Sequence, residues 1–253
     1  MVVEYETRGR SAVITLNRPE ARNAVNQELA ESLEAALDRF EADDEAWTGV
    51  LAGNGPAFCA GADLKSIADG AIRLSTPRGG FAGLVQRERT KPLIAAVDGP
   101  ALAGGTELVL ACDLVVASGN ARFGLPEVKR SLIAAAGGLF RLPRALPRNL
   151  AMEMALTGGD LDVETAHAHG LVNRLVEPGT ALEEALALAD VINANAPLAV
   201  RATRAAIVDS VLLEDDEAFR LSGRLSVDIF ATEDFKEGPR AFVEKRQPRW
   251  QGR

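Results

Sequence analysis

The sequence predicts an α/β domain followed by an all-helical tail. Three observations carry that reading. Over the first two hundred of its 253 residues, short β-type runs alternate with helical patterns. After Pro197 strand signals vanish, and only helical periodicity remains. No low-complexity linker joins the two parts, so independently mobile domains are not expected. The boundary falls near Asn195, giving a core over 1–195 and a tail over 196–253.

The elements follow in order. "SAVITL" reads as a strand, stopped by Asn17-Arg18-Pro19. Leu29, Leu33, Leu37 and Phe40 recur near the helical period, so an amphipathic helix is expected over about Asn26 to Glu41. "WTGVLAG", "LIAAVDG" and "DLVVAS" read as further strands. "DVETAHAHG" is a short capped helix ended by Gly170, and "LVNRLVE" is the strand after it. Strand-strand-helix units recur without a clear sequence repeat. In the tail, "LAVRATRAAIVDSV", "LLEDDEAFRLSGRLSVDIF" and "EDFKEGPRAFVEKR" are successive helices. Their apolar stripes must cover either a core of their own or a neighbouring subunit.

Composition narrows the function. Hydrophobic residues make up 47% and charged residues 25%, and the net charge is −8. That balance argues against a nucleic-acid or anionic-membrane partner. No apolar run approaches a membrane span, and "MVVEYETRGR" lacks the blocks of a signal peptide. Two cysteines, Cys59 and Cys112, give neither a disulfide framework nor zinc spacing, so the cytoplasm is the expected compartment. His167 and His169 read as an exposed helix end, because no further ligand accompanies them.

Three stretches need explaining together. In "FCAGADLK", Gly61 between two alanines lets backbone N–H groups approach a ligand closely. In "ALAGGTELVLACD", Gly104 and Gly105 precede a helix start, where unpaired N–H groups stabilise negative charge. The same stretch sets Glu107 in an apolar run, although a carboxylate is costly to bury. In "FGLPEVK", a second glutamate, Glu127, is fixed behind Pro126. Singly, each could be a tight turn, a close helix contact or a surface acid. The pattern "AGGTEL" is not a dinucleotide fingerprint.

In this order and spacing the stretches resemble the crotonase, or enoyl-CoA hydratase/isomerase, family. The likeness runs from "LNRPEARNAV" through "GNGPAFCAGADLK", "KPLIAAVDGPALAGGTELVLACD" and "ARFGLPEVK" to "MALTGGDLDVETAHAHGLVNRLVEPG" and "EGPRAFVEKRQPRW". "GGFAGL", "LPEVK" and the tail are similar to its bacterial enoyl-CoA hydratase and carnitinyl-CoA dehydratase branch. The resemblance implies a spiral core of ββα units with two near-perpendicular sheets, and a C-terminal helical region that builds a homotrimer or a hexamer. It implies an acyl-CoA thioester as substrate in lipid metabolism, and no metal or redox cofactor, since coenzyme A enters as the substrate thioester.

By position, the resemblance makes the N–H groups of Ala62 and Gly104 the oxyanion hole. It sets the Ala60 carbonyl against adenine and Lys65 near the CoA phosphates. Phe242 and Lys245 match tail positions that bind CoA, in some members from an adjacent subunit. Glu107 and Glu127 match the two acid/base positions of the hydratases. Hydration adds a hydroxyl and a proton, so Glu107 is expected to activate water and Glu127 to protonate the α-carbon. Burial and a shared site raise carboxyl pKa values, which lets one of the pair stay protonated.

One departure stands out. Many hydratases carry Gly-x-x-Pro-Gly-x-Gly-Gly after the second glutamate, where this chain has "SLIAAAGG", with Ser131, Ala134 and Ala135. The path through Gly137 and Gly138 should persist, but the pocket wall should differ. Carnitinyl-CoA dehydration and double-bond isomerisation are therefore the alternatives to hydration, with a non-catalytic acyl-CoA scaffold behind them. Residues 68–89 should line the acyl pocket. Cys59 is read as packing.

Overall fold

The computed structural model describes residues 1–68 and 74–253. Strand β1 (Val3–Arg8) folds back antiparallel onto β2 (Ser11–Leu16). Helix α1 (Gln27–Ala42) begins where Asn26 Oδ1 accepts the Leu29 N–H at 2.9 Å. Next come β3 (Thr48–Gly53), the short α2 (Leu64–Ala68) and a tight pair, β4 (Ser75–Thr76) with β5 (Gly80–Phe81). β6 (Leu93–Val97), β7 (Ala101–Leu102) and α3 (Gly104–Ala111) form the next unit. β8 (Leu114–Ser118), β9 (Arg122–Gly124), a 3-10 turn over Pro126–Arg130 and α4 (Gly138–Ala145) repeat it. Then follow α5 (Arg148–Thr157), β10 (Asp160–Asp162), α6 (Val163–Ala168), β11 (Arg174–Val176) and α7 (Ala181–Asn193). The tail is α8 (Pro197–Asp209), α9 (Asp215–Phe230) and α10 (Glu233–Glu244).

The larger sheet has the order β1-β2-β3-β6-β8-β11, with every neighbour parallel except β1. Both of its faces are covered, which is why its central strands are apolar throughout. Period-2 alternation divides them. Ile14, Leu51, Leu93 and Ala95 join the core under α1, whereas Val13, Val50, Ile94 and Ala96 pack against Ala185 and Ala189 of α7. β1 was not anticipated. Its "VEYETR" alternation leaves only Val3 buried, and the charged partners disguise it.

The smaller sheet, β10-β9-β7, positions the site. An isolated parallel bridge from Cys59 to Ala101 extends it, and another joins Val25 to Ala62. Cys59, Ala101 and Phe123 therefore stand at one level of consecutive units. Three residues further on, each chain turns toward its helix: Ala62 before α2, Gly104 at the start of α3, Pro126 at the 3-10 turn. Repetition of the unit thus brings three equivalent chain turns side by side.

The tail is tied to the core at few points. Asp113 accepts from Arg89 at 2.9 Å and from Arg204 of α8 at 3.0 Å, and also takes the Leu93 N–H at 2.8 Å. Burial alone would raise the Asp113 carboxyl, but the two guanidinium groups hold it below the usual range. Trp250 Nε1 donates to the Ala194 carbonyl at 2.8 Å, and buried Asp234 takes the N–H groups of Gln251 and Gly252.

Candidate active site

The two glycine-bearing turns pack directly on each other. At Gly61, where φ is +87°, a Cβ would lie 2.7 Å from the Ala103 methyl and 2.9 Å from the Gly104 nitrogen. A Cβ on Gly105 would sit 2.0 Å from the Cys59 carbonyl oxygen. Only glycine allows this approach. Ala103 is held at φ 52°, ψ −126°, an uncommon conformation for a residue with a side chain. Cys59 fits the packing role: it is fully buried, its thiol contacts the Asn23 carbonyl at 3.2 Å, and burial pushes its pKa up to about 12.

The turns leave two main-chain donors unused. In the bridge with Val25, the Val25 N–H donates to Gly61 O and the Asp63 N–H to Val25 O, so the Ala62 N–H points the other way. Gly104 opens α3 and its N–H precedes the first intrahelical bond. Neither N–H finds an acceptor among the described residues. Both residues line a cavity of about 580 Å³, together with Ala60, Glu107 and Glu127.

The two carboxylates enter this cavity differently. Glu107 is 4% exposed, and its Oε1 accepts the Gly138 N–H at 2.9 Å. Burial is the largest influence on it and the Glu127 charge adds to it, while the Gly138 and Ala136 amides and the Arg141 charge pull the other way. The balance pushes its pKa up to about 7. Glu127 is the second residue of the 3-10 turn, after Pro126, and is only partly buried. Burial raises it too, its own amide and Arg130 oppose the rise, and its Oε2 has no hydrogen-bond partner among the described residues. A cavity with two free N–H donors and two easily protonated carboxyls can stabilise a developing oxyanion while moving protons on either side of it.

The rest of the lining explains the loop before β6. Leu74, Thr76, Phe81, Val85 and Gln86 line the cavity from the segment 68–89, of which 69–73 lie outside the described residues. Leu132, Ile133 and Ala135 also line it, so the altered "SLIAAAGG" stretch faces the cavity. Sequence reasoning missed Phe81, whose ring occupies the space a Cβ on Gly104 would need, at 2.5 Å. It also missed that Gly138 feeds Glu107; the paired glycines were noted only for their backbone path.

A sequence model of the enoyl-CoA hydratase/isomerase family matches residues 6–253. The chain belongs to that family. It is 42% identical to the enoyl-CoA hydratase EchA19 of Mycobacterium tuberculosis, over 98% of this chain and 96% of the relative. It is 39% identical to a carnitinyl-CoA dehydratase of Proteus mirabilis, over 98% and 97%. A crystal structure of an enoyl-CoA hydratase from Mycobacterium tuberculosis H37Rv superposes with a TM-score of 0.96 at 50% identity, covering 100% of this chain and 99% of that one. The fold is accordingly the crotonase fold.

Within this family member, five of the eight residues singled out from sequence meet at the cavity: Ala60, Ala62, Gly104, Glu107 and Glu127. Lys65 stands exposed on α2, outside the cavity lining. Phe242 is 85% exposed and Lys245 caps α10 in a left-handed conformation, both away from the lining of this protomer's cavity. His167 and His169 are exposed, with His167 Nδ1 2.9 Å from the Val172 carbonyl oxygen. Among the described residues no group of three His, Cys, Asp or Glu side chains could hold a metal ion, and no helix is long and apolar enough to cross a membrane.

Proposed function

We propose that this protein is an enoyl-CoA hydratase that adds water reversibly to trans-2-enoyl-CoA, giving the 3-hydroxyacyl-CoA. The observation that carries the reading is the pair of carboxylates facing one cavity with two unpaired main-chain N–H groups. The thioester oxygen sits between the Ala62 and Gly104 N–H groups. Glu107 takes a proton from water as the water attacks the β-carbon, and electron density moves onto the thioester oxygen. Glu127 then delivers a proton to the α-carbon. A base titrating near 7 is well matched to that task, and the unpartnered Glu127 Oε2 is free to carry the second proton.

The remaining assignments belong to the same reading. The Ala60 carbonyl receives the adenine and Lys65 the CoA phosphates, and coenzyme A is substrate rather than resident cofactor. Residues 1–195 carry the acyl-CoA site. Residues 196–253 assemble trimers or hexamers, with Phe242 and Lys245 completing a CoA site. The compartment is the cytoplasm.

The deciding test is hydration of crotonyl-CoA, followed by loss of enone absorbance. Turnover supports the reading. Conversion of a carnitinyl-CoA or a 3-enoyl-CoA in its place would move the chain to dehydratase or isomerase chemistry. Binding without any turnover would make it a scaffold.

A further inference from the structure

Arg141 has no part in the steps above, yet its half-buried guanidinium reaches the carbonyls of two residues that line the cavity. It lies on α4. Its Nη2 donates to the Val85 carbonyl at 2.6 Å, on the wall that follows β5. Its Nη1 reaches the carbonyl of Ala136, another lining residue, at 3.4 Å. Between these contacts it lies close to Gly137, where φ is +109° and a Cβ would come within 2.2 Å of Nη1. Residues 136 and 137 lead into α4, whose first residue, Gly138, gives the N–H that holds Glu107 Oε1.

We propose that Arg141 is a positioning residue for Glu107: it fastens the start of α4 to Val85 and keeps a positive charge beside the residues that hold that carboxylate. The proposal rests on the hydratase reading only for its kinetic consequences. Val85 and Ala136 are far apart in sequence, and no other side chain among the described residues donates to both carbonyls. The Arg141 backbone N–H already holds the Gly137 carbonyl at 3.0 Å within the helix start, so what the guanidinium adds is the tie to Val85 across the chain.

The charged surroundings are few. Glu107 on α3 faces Arg141, and Glu127 acts on Glu107 from the 3-10 turn. Arg89, Arg144 and Cys112 surround Arg141 from the segment before β6, from its own helix and from the end of α3. Arg89 is already engaged by Asp113. Glu107 is therefore the carboxylate on which the Arg141 charge acts. Removing a neighbouring positive charge favours the neutral carboxyl, so Glu107 would titrate at higher pH. As the base must be ionised, the acid limb of the activity profile would move the same way.

The experiment compares the full-length wild type with Arg141→Lys and Arg141→Gln. The kcat and KM for crotonyl-CoA are measured against pH, and the Glu107 carboxyl is titrated directly by 13C NMR, assigned with Glu107→Gln. In Arg141→Gln the Glu107 titration and the acid limb should both rise by roughly half to one pH unit. Arg141→Lys keeps the charge but not the two-carbonyl grip. It should leave the titration in place and lower kcat about tenfold at unchanged KM. A folded Arg141→Gln with wild-type titration overturns the charge role, and full kcat in Arg141→Lys overturns the clasp. If neither variant folds, Arg141 is structural and the proposal fails. If the wild type does not hydrate crotonyl-CoA, the hydratase reading fails while the NMR titration still decides this one.

Discussion

Helices α1 and α9 are each 16 residues long and carry comparable apolar stripes, but only α1 has a core to face. α1 buries Leu29, Leu33, Leu37 and Phe40, whereas α9 buries none of its residues and leaves Phe219 76% exposed and Val227 64% exposed. The same pattern therefore means different things in the two regions. In the core it records packing within the chain. In the tail it records surface that the chain does not cover by itself, and exposed apolar faces of this kind mark association sites. We propose that the core carries the chemistry and the tail the assembly, and each substitution below tests that division.

The largest effects should come from the core. Glu107→Gln and Glu127→Gln should each lower kcat for hydration by about 10²–10⁴, and the double variant should lose far less than the product. If Glu127 handles the α-proton, Glu107→Gln should retain some exchange of the α-hydrogen with solvent deuterium, and Glu127→Gln should not. Exchange seen only in Glu127→Gln would reverse the two roles. Gly104→Pro removes one main-chain donor and should cost roughly 10²–10³ in kcat. Because any Cβ there meets Phe81, circular dichroism must accompany the kinetics.

The tail should respond in assembly. Phe219→Asp with Val227→Asp adds charge to an exposed face, so it should hardly change the folded protomer. Sedimentation velocity should instead show a trimer or hexamer in the wild type and smaller species in the variant. A wild type that stays monomeric at micromolar concentration would end the division of labour.

A subtler effect concerns stability. Glu107 titrates about 7 when folded, above its ordinary 4.5, so the native state holds this proton more tightly than the unfolded chain does. Its contribution is fully present below about pH 4.5 and is lost as the pH rises through 7. Glu107→Gln should accordingly match the wild type near pH 4.5 and exceed it at pH 8, by about 1–3 kcal/mol in chemical denaturation. An unchanged difference between the two pH values would mean that Glu107 is not desolvated. Smallest of all, Lys65→Ala should raise KM for acyl-CoA by roughly 2–10-fold and spare kcat, as its side chain is exposed and outside the cavity lining. A fall in kcat at constant KM would contradict the phosphate role.

Much of this was legible in the sequence where local signals are strong. The apolar runs at Ser11–Leu16 and Thr48–Gly53, and the period of Leu29, Leu33, Leu37 and Phe40, gave strands and a helix close to those observed. Elsewhere, local signals were too short or too mixed. β7 has two residues and β9 three, and both exist because of pairing across the chain. α4 contains Pro143, which conceals its helical pattern. Among site residues, Glu107 announced itself as a carboxylate in an apolar run. Phe81 and Arg141 gave no such sign, because their importance lies in what stands opposite them.

The donors at Ala62 and Gly104 are main-chain groups, and no codon spells out a backbone N–H. Substitution can change the acids around them, the walls beside them and the loop above them while leaving both donors in place. What heredity must conserve is a shape: glycine at Gly61 and Gly105, where a single added methyl would collide with the neighbouring turn. A lineage of such proteins can therefore exchange one reaction for another by altering side chains, without first dismantling the feature that all of them would share.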